Sequence, residues 1–376
     1  MEKIKVLSLF SGIGAFEKAI SNLGIEADLI GFSEIDKYAV KSYCKIHNIS
    51  ENKNLGDITK IEIKKLPRFI DLITHGSPCQ DFSIAGRQAG GDKGLETRSS
   101  LMWNTVDIVE WCLPKYVIWE NVKNLLSQKH KHNFDNYIEI MNKLGYNSYY
   151  QVLNAKNYGI PQNRERVYTV SIRKDIDKSG FKFPEKEELK LRLKDMLENE
   201  IEDKYFLNEE QSLKITPTID INKNEEPKIN VIGLLNIKGN ECVRRVYSKD
   251  GISPTLTDMQ GGNRQPKIID DPKCIRIGGM YGQTTRWGLY DKAGIAPTLV
   301  AAMGEGGGYI PMLEKKGRIR KLTPKECWRL MGFSDEDFEK AQSVPTSNTQ
   351  LYKQAGNSIV VNVLEKIFKN LFKEEL

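Results

Sequence analysis

The stretch DLITHGSPCQDFSIAGRQ, residues 71–88, decides how this chain is interpreted. Its start, Leu72 to Thr74, predicts a buried strand, which ends at Gly76-Ser77-Pro78 before a polar loop that contains Cys79. Loops beyond the carboxyl ends of strands carry the chemistry of open α/β sheets. Cys79 follows a proline that fixes the local backbone. This position indicates a catalytic thiolate, although on position alone a lone cysteine is more often a small buried apolar residue.

A strand, a glycine turn and a helix are predicted before this stretch. Lys5 to Phe10 form the strand, Ser11 to Gly14 the turn, and Ala15 to Leu23 the helix. Such a unit brings backbone N–H groups to a nucleotide-like ligand. Glu17 occupies the third glycine position of the dinucleotide fingerprint, so a smaller adenosine ligand is favoured over a pyrophosphate cofactor. A second predicted strand leads to Glu34, whose carboxylate is well placed for ribose hydroxyls.

Two further groups of candidate side chains and one candidate loop are predicted. Residues 115–119 predict a buried strand that brings Glu120 to the same sheet edge as Cys79, although for Glu120 taken alone a helix-capping role is slightly favoured. Arg164 and Arg166, at a spacing of two on a strand, share one face and offer either two fixed cations or an exposed basic edge. The glycine-rich basic loop from Asp81 is suited to closing over a phosphate backbone, or is a mobile surface loop.

Composition sets the broad class. The 376 residues are enough for about two domains, and 39% hydrophobic with 28% charged residues is typical of a globular chain. No apolar run approaches the roughly 20 residues of a membrane span, so we expect a cytoplasmic location without membrane contact. The six cysteines are scattered without metal-ligand spacing, which predicts free thiols and no metal site. A net charge of +6 is compatible with a polyanionic partner.

Seven segments in order resemble the cytosine 5-methyltransferases that act on DNA. They are FSGIG (10–14), SEID (33–36), GSPCQDFS (76–83), ENV (120–122), QNRERV (162–167), RKLTPKECWRLMGF (320–333) and YKQAGNSIV (352–360). The resemblance implies an α/β fold, namely a Rossmann-like S-adenosylmethionine-dependent methyltransferase domain with a smaller, mostly β, target-recognition domain. It implies catalytic residues 1–174, recognition residues 175–317, and a return over 318–376 that ends in a closing helix from Gln354 to Phe372.

The resemblance also implies the reaction. A methyl group passes from S-adenosylmethionine to carbon 5 of a cytosine in a specific double-stranded DNA sequence, leaving S-adenosylhomocysteine. The base is flipped out and Cys79 attacks carbon 6. Glu120 would hold ring nitrogen 3, Arg164 would contact the base and its developing charge, and Arg166 would support the site. Protection of DNA from a cognate restriction enzyme is the expected role.

Binding residues follow from the same resemblance. The cofactor residues are Phe10, Ser11, Gly12, Gly14, Glu34, Ile35, Asp57, Ile58, Pro78, Leu101, Asn357 and Ser358. Phe10 would pack on the adenine, Glu34 bind the ribose, and Asn357 bind the methionine end. The expected DNA-binding residues are Ser83, Arg87, Arg98, Gln162, Arg244, Arg245, Arg264, Gln283 and Arg286. For the readers in the variable region, a phosphate contact is commoner than direct base reading.

An internal repeat occupies the variable region. Gly251-Ile252-Ser253-Pro254-Thr255-Leu256 and Gly294-Ile295-Ala296-Pro297-Thr298-Leu299 are each followed by glycines. Each copy predicts strands joined by glycine-rich turns, which allow the backbone to approach phosphates, and we assign both to target recognition. Two alternatives stay open: a tRNA cytosine 5-methyltransferase, and an inactive DNA-binding protein on the same fold. We expect a monomer by analogy.

Overall fold

The computed structural model describes residues 3–78, 98–206, 215–217, 228–235, 237, 239–259, 264–270, 278–279, 288–291, 312–314 and 318–373. The chain divides into two compact units. The first comprises Met1–Met196, Ile252–Arg264 and Pro324–Leu376, and the second comprises Leu197–Gly251 and Gln265–Thr323. Across the described part of the chain, no helix combines the length and apolar character needed to cross a bilayer.

A six-stranded sheet forms the centre of the first unit. Its strands are β1 (Ile4–Leu9), β2 (Ala27–Ser33), β3 (Leu72–His75), β4 (Tyr116–Val122), β5 (Tyr146–Asn154) and β6 (Glu165–Arg173). Their spatial order is β2-β1-β3-β4-β6-β5. β1 to β4 run parallel, and β6 is antiparallel to both of its neighbours. The carboxyl ends of four strands therefore meet at one edge, where β6 begins, as an open α/β sheet requires for a ligand site.

Helices flank this sheet. They are α1 (Ala15–Asn22), α2 (Lys37–His47), α3 (Met102–Cys112) and α4 (Lys131–Lys143). The core beneath α3 and α4 is aromatic: Trp119 of β4 packs against Tyr137 at a centroid distance of 4.4 Å and against Phe134 at 5.9 Å. Short 3-10 helices occur at Glu51–Lys53, Ile58–Lys60, Ile63–Lys65, Arg98–Leu101, Lys123–Leu126, Ala155–Tyr158, Leu193–Met196 and Asp203–Tyr205.

The described part of the second unit is mostly β. A sheet in the order β14-β10-β9-β8-β7 is formed by β7 (Ile215–Pro217), β8 (Val231–Leu235), β9 (Arg245–Tyr247), β10 (Lys267–Asp270) and β14 (Arg318–Lys321). A smaller sheet joins β11 (Gly278–Gly279), β12 (Gly288–Asp291) and β13 (Met312–Glu314). One short helix, α5 (Glu241–Arg244), precedes β9. The expected β character is present.

The chain then returns to the first unit. Helices α6 (Pro324–Arg329), α7 (Asp335–Gln342), α8 (Asn348–Asn357) and α9 (Val361–Leu371) complete it. The single closing helix predicted from Gln354 to Phe372 is wrong, because the helix breaks at Ser358, whose backbone is extended. The Ser358 carbonyl accepts a hydrogen bond from Arg164, so it is committed to a partner outside the helix. α9 packs on α1, with Phe16 edge-on to Phe368 at 6.4 Å.

The contact-defined units differ from the predicted segments 1–174, 175–317 and 318–376. Residues 175–196 and 252–264 belong to the unit that contains the six-stranded sheet. The physical reason is direct for the 252–259 segment, because Ser253 donates its N–H to the Pro161 carbonyl at 2.7 Å and accepts from the Asn163 N–H at 2.8 Å. The assignment of target recognition to the remaining inserted residues stays a prediction.

Candidate active site

Glu120 lies beside the backbone that leads to Cys79. His75 of β3 pairs with Trp119 of β4, so the next residues of each strand leave the sheet together. A Cβ atom placed on Gly76 would be 3.9 Å from Glu120 Oε2, which is ordinary van der Waals contact. Glu120 therefore lies beside Gly76, the first residue of the 76–83 motif, and its convergence with Cys79 stays a prediction. Cys79, Ser83 and Arg87 lie outside the described residues.

Neighbours of Glu120 hold the residue before Pro78. Trp119 donates its indole N–H to Ser77 Oγ at 3.0 Å, and Asn121 donates its amide to the Ser77 carbonyl at 3.3 Å. Ser77 and Asn121 are buried. Sequence reasoning overlooked both contacts, although the signal was present: a polar residue that follows a buried strand needs a partner when it is itself buried. The two hydrogen bonds fix the position of Ser77, two residues before Cys79 in the sequence.

Glu120 is buried and paired with one arginine. Its Oε1 lies 3.1 Å from Arg166 Nε, an ion pair that falls short of aligned hydrogen-bond geometry. Burial raises the pKa of Glu120, and the charges of Arg166 and Arg164 act against this rise. A carboxyl group in such surroundings binds a proton more readily than one in water. Glu120 is therefore suited to donating a hydrogen bond from a protonated oxygen.

The structure gives the two arginines surroundings that do not match the roles predicted for them. Arg164 is buried, and its two amino groups donate to the carbonyls of Leu256 at 2.8 Å, Gly356 at 3.1 Å and Ser358 at 2.7 Å. Its guanidinium therefore binds main chain. Arg166 is the arginine that pairs with Glu120. In this structure Arg166 lies beside Glu120, and Arg164 holds the backbone of three other segments.

Gln162 is also an internal support, so the DNA contact predicted for it is wrong. Its side chain is fully buried. The amide nitrogen donates to the Leu330 carbonyl at 2.7 Å, and the amide oxygen accepts from the Leu256 N–H at 3.1 Å. A side-chain amide that satisfies two distant backbone segments in the interior has no surface to offer to DNA.

Glu34 connects the two loops that we predicted to bind the cofactor. Its carboxylate accepts from the N–H groups of Gly12 at 2.9 Å, and of Ile35 and Asp36 at 2.8 Å each. Burial raises the pKa of Glu34, while these three N–H groups act to lower it. Gly12 and Gly14 have φ values of 56° and 82°, which side chains rarely adopt. Glu34 thus joins the loop after β2 to the turn after β1.

The other predicted cofactor residues surround this pair of loops to differing degrees. Ile35 is 78% exposed, an unusual position for a large apolar side chain, whereas Ile58 is buried. Asp57 caps the Ile58–Lys60 turn and accepts from the Thr59 N–H at 3.0 Å. Phe10 and Leu101 are half-buried, Ser11 is buried, and Pro78 is half-buried. Asn357 is exposed where α8 ends, and Ser358 is buried.

These residues fit an adenosine-type ligand. A carboxylate has about four acceptor sites, so Glu34, which already accepts three N–H groups, retains about one for a further donor such as a ribose hydroxyl. The exposed Ile35 side chain offers an apolar surface to a flat ring. Among the described residues, no group of three or more His, Cys, Asp or Glu side chains is placed to hold a metal ion. The described cysteines, Cys44, Cys112, Cys242 and Cys327, are free thiols.

The predicted DNA-binding arginines have internal partners where they are described. Arg244 donates to the Leu235 carbonyl at 2.9 Å, and Arg245 pairs with Glu241 at 2.9 Å. Arg264 pairs with Asp258 at 3.2 Å while half of its side chain stays exposed. The backbone of Arg98 begins a 3-10 helix. Gln283 and Arg286 lie outside the described residues.

Comparisons with known proteins agree with this geometry. The chain matches the C-5 cytosine-specific DNA methylase family model over residues 4–373. It is 39% identical to the orphan methyltransferase M.SPBetaI of Bacillus phage SPbeta, covering 99% of this chain and 98% of that protein. It is 32% identical to the type II methyltransferase M.HhaI of Haemophilus parahaemolyticus, covering 98% and 94%. The solved Entamoeba histolytica methyltransferase EhMeth matches with a TM-score of 0.68 at 18% identity over 100% of both chains, which confirms the predicted Rossmann-like fold.

Proposed function

Because this chain belongs to the C-5 cytosine-specific DNA methylase family and is therefore a DNA (cytosine-5-)-methyltransferase, we propose that it works through Cys79 on a cytosine turned out of the duplex. Carbon 5 of cytosine is a poor nucleophile. Addition of the Cys79 thiolate to carbon 6 would make carbon 5 electron-rich. The target base is stacked inside a duplex, so it must leave the stack to reach this thiolate.

One observation carries the proposal: the buried Glu120 carboxyl, paired with Arg166, lies against Gly76, three residues before Cys79. Addition at carbon 6 places electron density on ring nitrogen 3. A protonated Glu120 can donate to that nitrogen, and burial favours the protonated form. The Arg166 guanidinium can orient Glu120 and stabilise negative charge that develops on the ring.

The cofactor residues act by binding and orientation. S-adenosylmethionine, when bound, supplies an electrophilic methyl group. We assign its ribose to Glu34, its adenine to the surface formed by Phe10, Ile35 and the Asp57-Ile58 turn, and its methionine end to the Ser11–Gly14 turn and Asn357. The acidic side chain that follows β2 and the adjacent glycine turn support this assignment.

The names of some relatives bear on the biological role. We propose that the enzyme protects a specific DNA sequence from a cognate restriction enzyme. The support is that relatives bearing type II methyltransferase names align over almost the whole chain. We further propose that it acts as a monomer in the cytoplasm.

The decisive experiment measures transfer of labelled methyl groups from S-adenosylmethionine to a mixed-sequence duplex and, separately, to tRNA. The wild type should label DNA as 5-methylcytosine. Cys79→Ser should lose this activity, whereas Cys44→Ser, which alters a half-buried thiol on α2, should retain it. Label in tRNA alone would contradict the proposed substrate.

A second measurement isolates the covalent step. A duplex carrying 5-fluorocytosine lacks the proton that must leave carbon 5, so the attacking residue should stay attached to the base. A denaturing gel should show a protein–DNA adduct with the wild type and none with Cys79→Ser. An adduct of undiminished yield in the Cys79 variant would exclude this cysteine as the nucleophile.

A further inference from the structure

His47, the last residue of α2, contacts the glycine turn after β1. Its Nε2 lies 3.0 Å from the carbonyl oxygen of Ile13. A carbonyl oxygen only accepts hydrogen bonds, so Nε2 carries the proton and donates it. Burial lowers the pKa of His47, which favours the neutral ring with its single N–H. The imidazole therefore offers one fixed donor to the turn.

The close approach of His47 depends on Gly14. A Cβ atom at Gly14 would lie 2.2 Å from His47 Nε2 and 2.9 Å from Tyr43 Cε2. Distances below 3.0 Å do not occur between real atoms of these types. The missing side chain of Gly14 thus allows α2 to reach the turn, in addition to permitting the φ of 82°.

Packing fixes the imidazole in this position. The Tyr43 ring lies 4.8 Å from the His47 ring, and Tyr43 in turn stacks on Phe32 of β2 at 4.1 Å. Three charged groups interact electrostatically with the imidazole. They are the Glu17 carboxylate and the Lys18 ammonium of α1, and the Asp337 carboxylate of α7. The ring is therefore packed against Tyr43, which in turn packs against the sheet through Phe32.

Three consecutive residues of the turn are held from two sides, by the end of β2 and by the end of α2. Ser11 donates its N–H to the Ser33 carbonyl at 3.1 Å. Gly12 donates its N–H to Glu34 at 2.9 Å, and Ile13 accepts from His47 at 3.0 Å. The first two contacts come from the end of β2, whereas the third comes from the end of α2. His47 is thus the described side chain that fixes the Ile13 carbonyl.

We propose that His47 is a positioning residue for the cofactor: its N–H holds Ile13 so that the Ser11–Gly14 turn keeps the shape that receives S-adenosylmethionine. This inference rests on the cofactor role proposed for the turn. His47 itself does not touch reacting atoms. Its loss should therefore weaken cofactor binding and leave the rate at saturating cofactor almost unchanged.

The test compares two substitutions at one position. In His47→Gln, the amide nitrogen can occupy a place close to Nε2 and keep a donor, whereas His47→Leu fills similar space without one. The dissociation constant for S-adenosylmethionine should rise about 3- to 10-fold in His47→Leu, the effect of one hydrogen bond. His47→Gln should stay within about twofold of the wild type, as should Lys45→Ala, an exposed neighbour on the same helix turn.

The outcomes separate this inference from the proposed function. A wild type that neither binds S-adenosylmethionine nor methylates DNA would refute the cofactor role itself. An active wild type with unchanged cofactor binding in His47→Leu would overturn the inference alone, as would equal losses in the Leu and Gln variants. If His47→Leu does not fold, His47→Asn, whose shorter amide cannot reach Ile13, must show the same rise in dissociation constant with kcat preserved, and unchanged binding would refute the proposal.

Discussion

Arg164 and Arg166 flank Glu165 at the start of β6, yet their guanidinium groups have different surroundings. Arg164 binds three backbone carbonyls in the interior, and Arg166 pairs with the Glu120 carboxylate. A buried guanidinium that satisfies carbonyls stabilises the fold, because each carbonyl would lose its partner if the arginine were removed. A guanidinium beside a reactive carboxyl acts on chemistry. We therefore propose that stability and catalysis are divided between these two residues of one motif.

Arg164→Ala and Arg166→Ala should consequently fail in different ways. We expect Arg164→Ala to lower the free energy of unfolding by about 3–5 kcal/mol, because three buried carbonyls lose a charged donor. Arg166→Ala should cost less, about 1–2 kcal/mol, because the buried Glu120 can take up a proton once its cationic partner is gone, yet it should reduce methylation at least 100-fold. Urea unfolding and methyl-transfer assays measure the two effects. Similar stability losses in both variants would contradict this division.

Glu120→Gln should change both activity and the pH dependence of stability. The raised pKa of Glu120 means that its contribution to stability is present below its usual value of 4.5 and is lost as the pH rises through the higher folded-state pKa. Relative to the wild type, Glu120→Gln should therefore gain unfolding free energy as the pH increases above 4.5. Denaturant unfolding at several pH values measures this difference. A difference that moves in the opposite direction would show that ionisation of Glu120 is favoured in the folded state.

For single residues, the sequence indicates which side chains lie at the ends of strands, but it does not indicate which distant segments those side chains contact. Glu120 and Glu34 could be placed because each follows a buried apolar run, and the end of a strand defines where a side chain lies. The roles of Arg164 and Gln162 could not, because their partners are about 90 to 190 residues away in the chain. Local patterns carry no information on such contacts. A polar residue within a motif can therefore be mistaken for a DNA or substrate contact when it supports the core.

Among the elements, the 252–259 segment joins parts of the site that are distant in sequence. Its first residues pair with the backbone on either side of Gln162, and the Leu256 carbonyl accepts from Arg164. The end of α8 lies against the same segment, since a Cβ at Gly356 would fall 1.7 Å from the Thr257 carbonyl oxygen. The first copy of the internal repeat thus supports the catalytic unit. Its internal symmetry gave no indication of this.

Gly356→Ala should force the end of α8 away from the 252–259 segment. The new methyl group would collide with backbone, which cannot move aside as a flexible side chain can. We expect a loss of about 3 kcal/mol or more in unfolding free energy, the range of severe overpacking. Gly145→Ala is a suitable control, because no atom lies within 4 Å of its Cβ position, although its φ of 91° adds local strain. Thermal unfolding of both variants gives the comparison, and equal shifts in Tm would argue against the collision.

Strands were predicted more accurately than the helices near the carboxyl end. The strands β1 and β4 begin within a residue of their predicted starts, because each is a short apolar run bounded by charged residues or turns. The break between α8 and α9 was not predicted, because residues 354–372 keep helical periodicity throughout. What interrupts the helix is tertiary: Arg164 binds the carbonyls of Gly356 and Ser358.

For the whole molecule, the net charge of +6 favours association with DNA in a manner that depends on salt. Arg264→Gln should lower the slope of log binding constant against log salt by about 1, if this half-exposed arginine neutralises one phosphate. Arg173→Gln is the matched control, because Arg173 ends β6 at the opposite edge of the sheet from Glu120 and pairs with Asp175. Fluorescence anisotropy over a salt series measures both slopes. An unchanged slope for Arg264→Gln would remove this residue from the DNA contacts.

The packing of α9 on α1 joins two helices that the ribosome synthesises at widely separated times. About 340 residues separate Asn22 from Val361, and at roughly 5–20 residues per second their synthesis takes roughly 20–70 s. During that interval the Phe16 side chain lacks Phe368, its partner from the last helix. The glycine turn and the helix that follows it are therefore synthesised long before α9 can cover that helix.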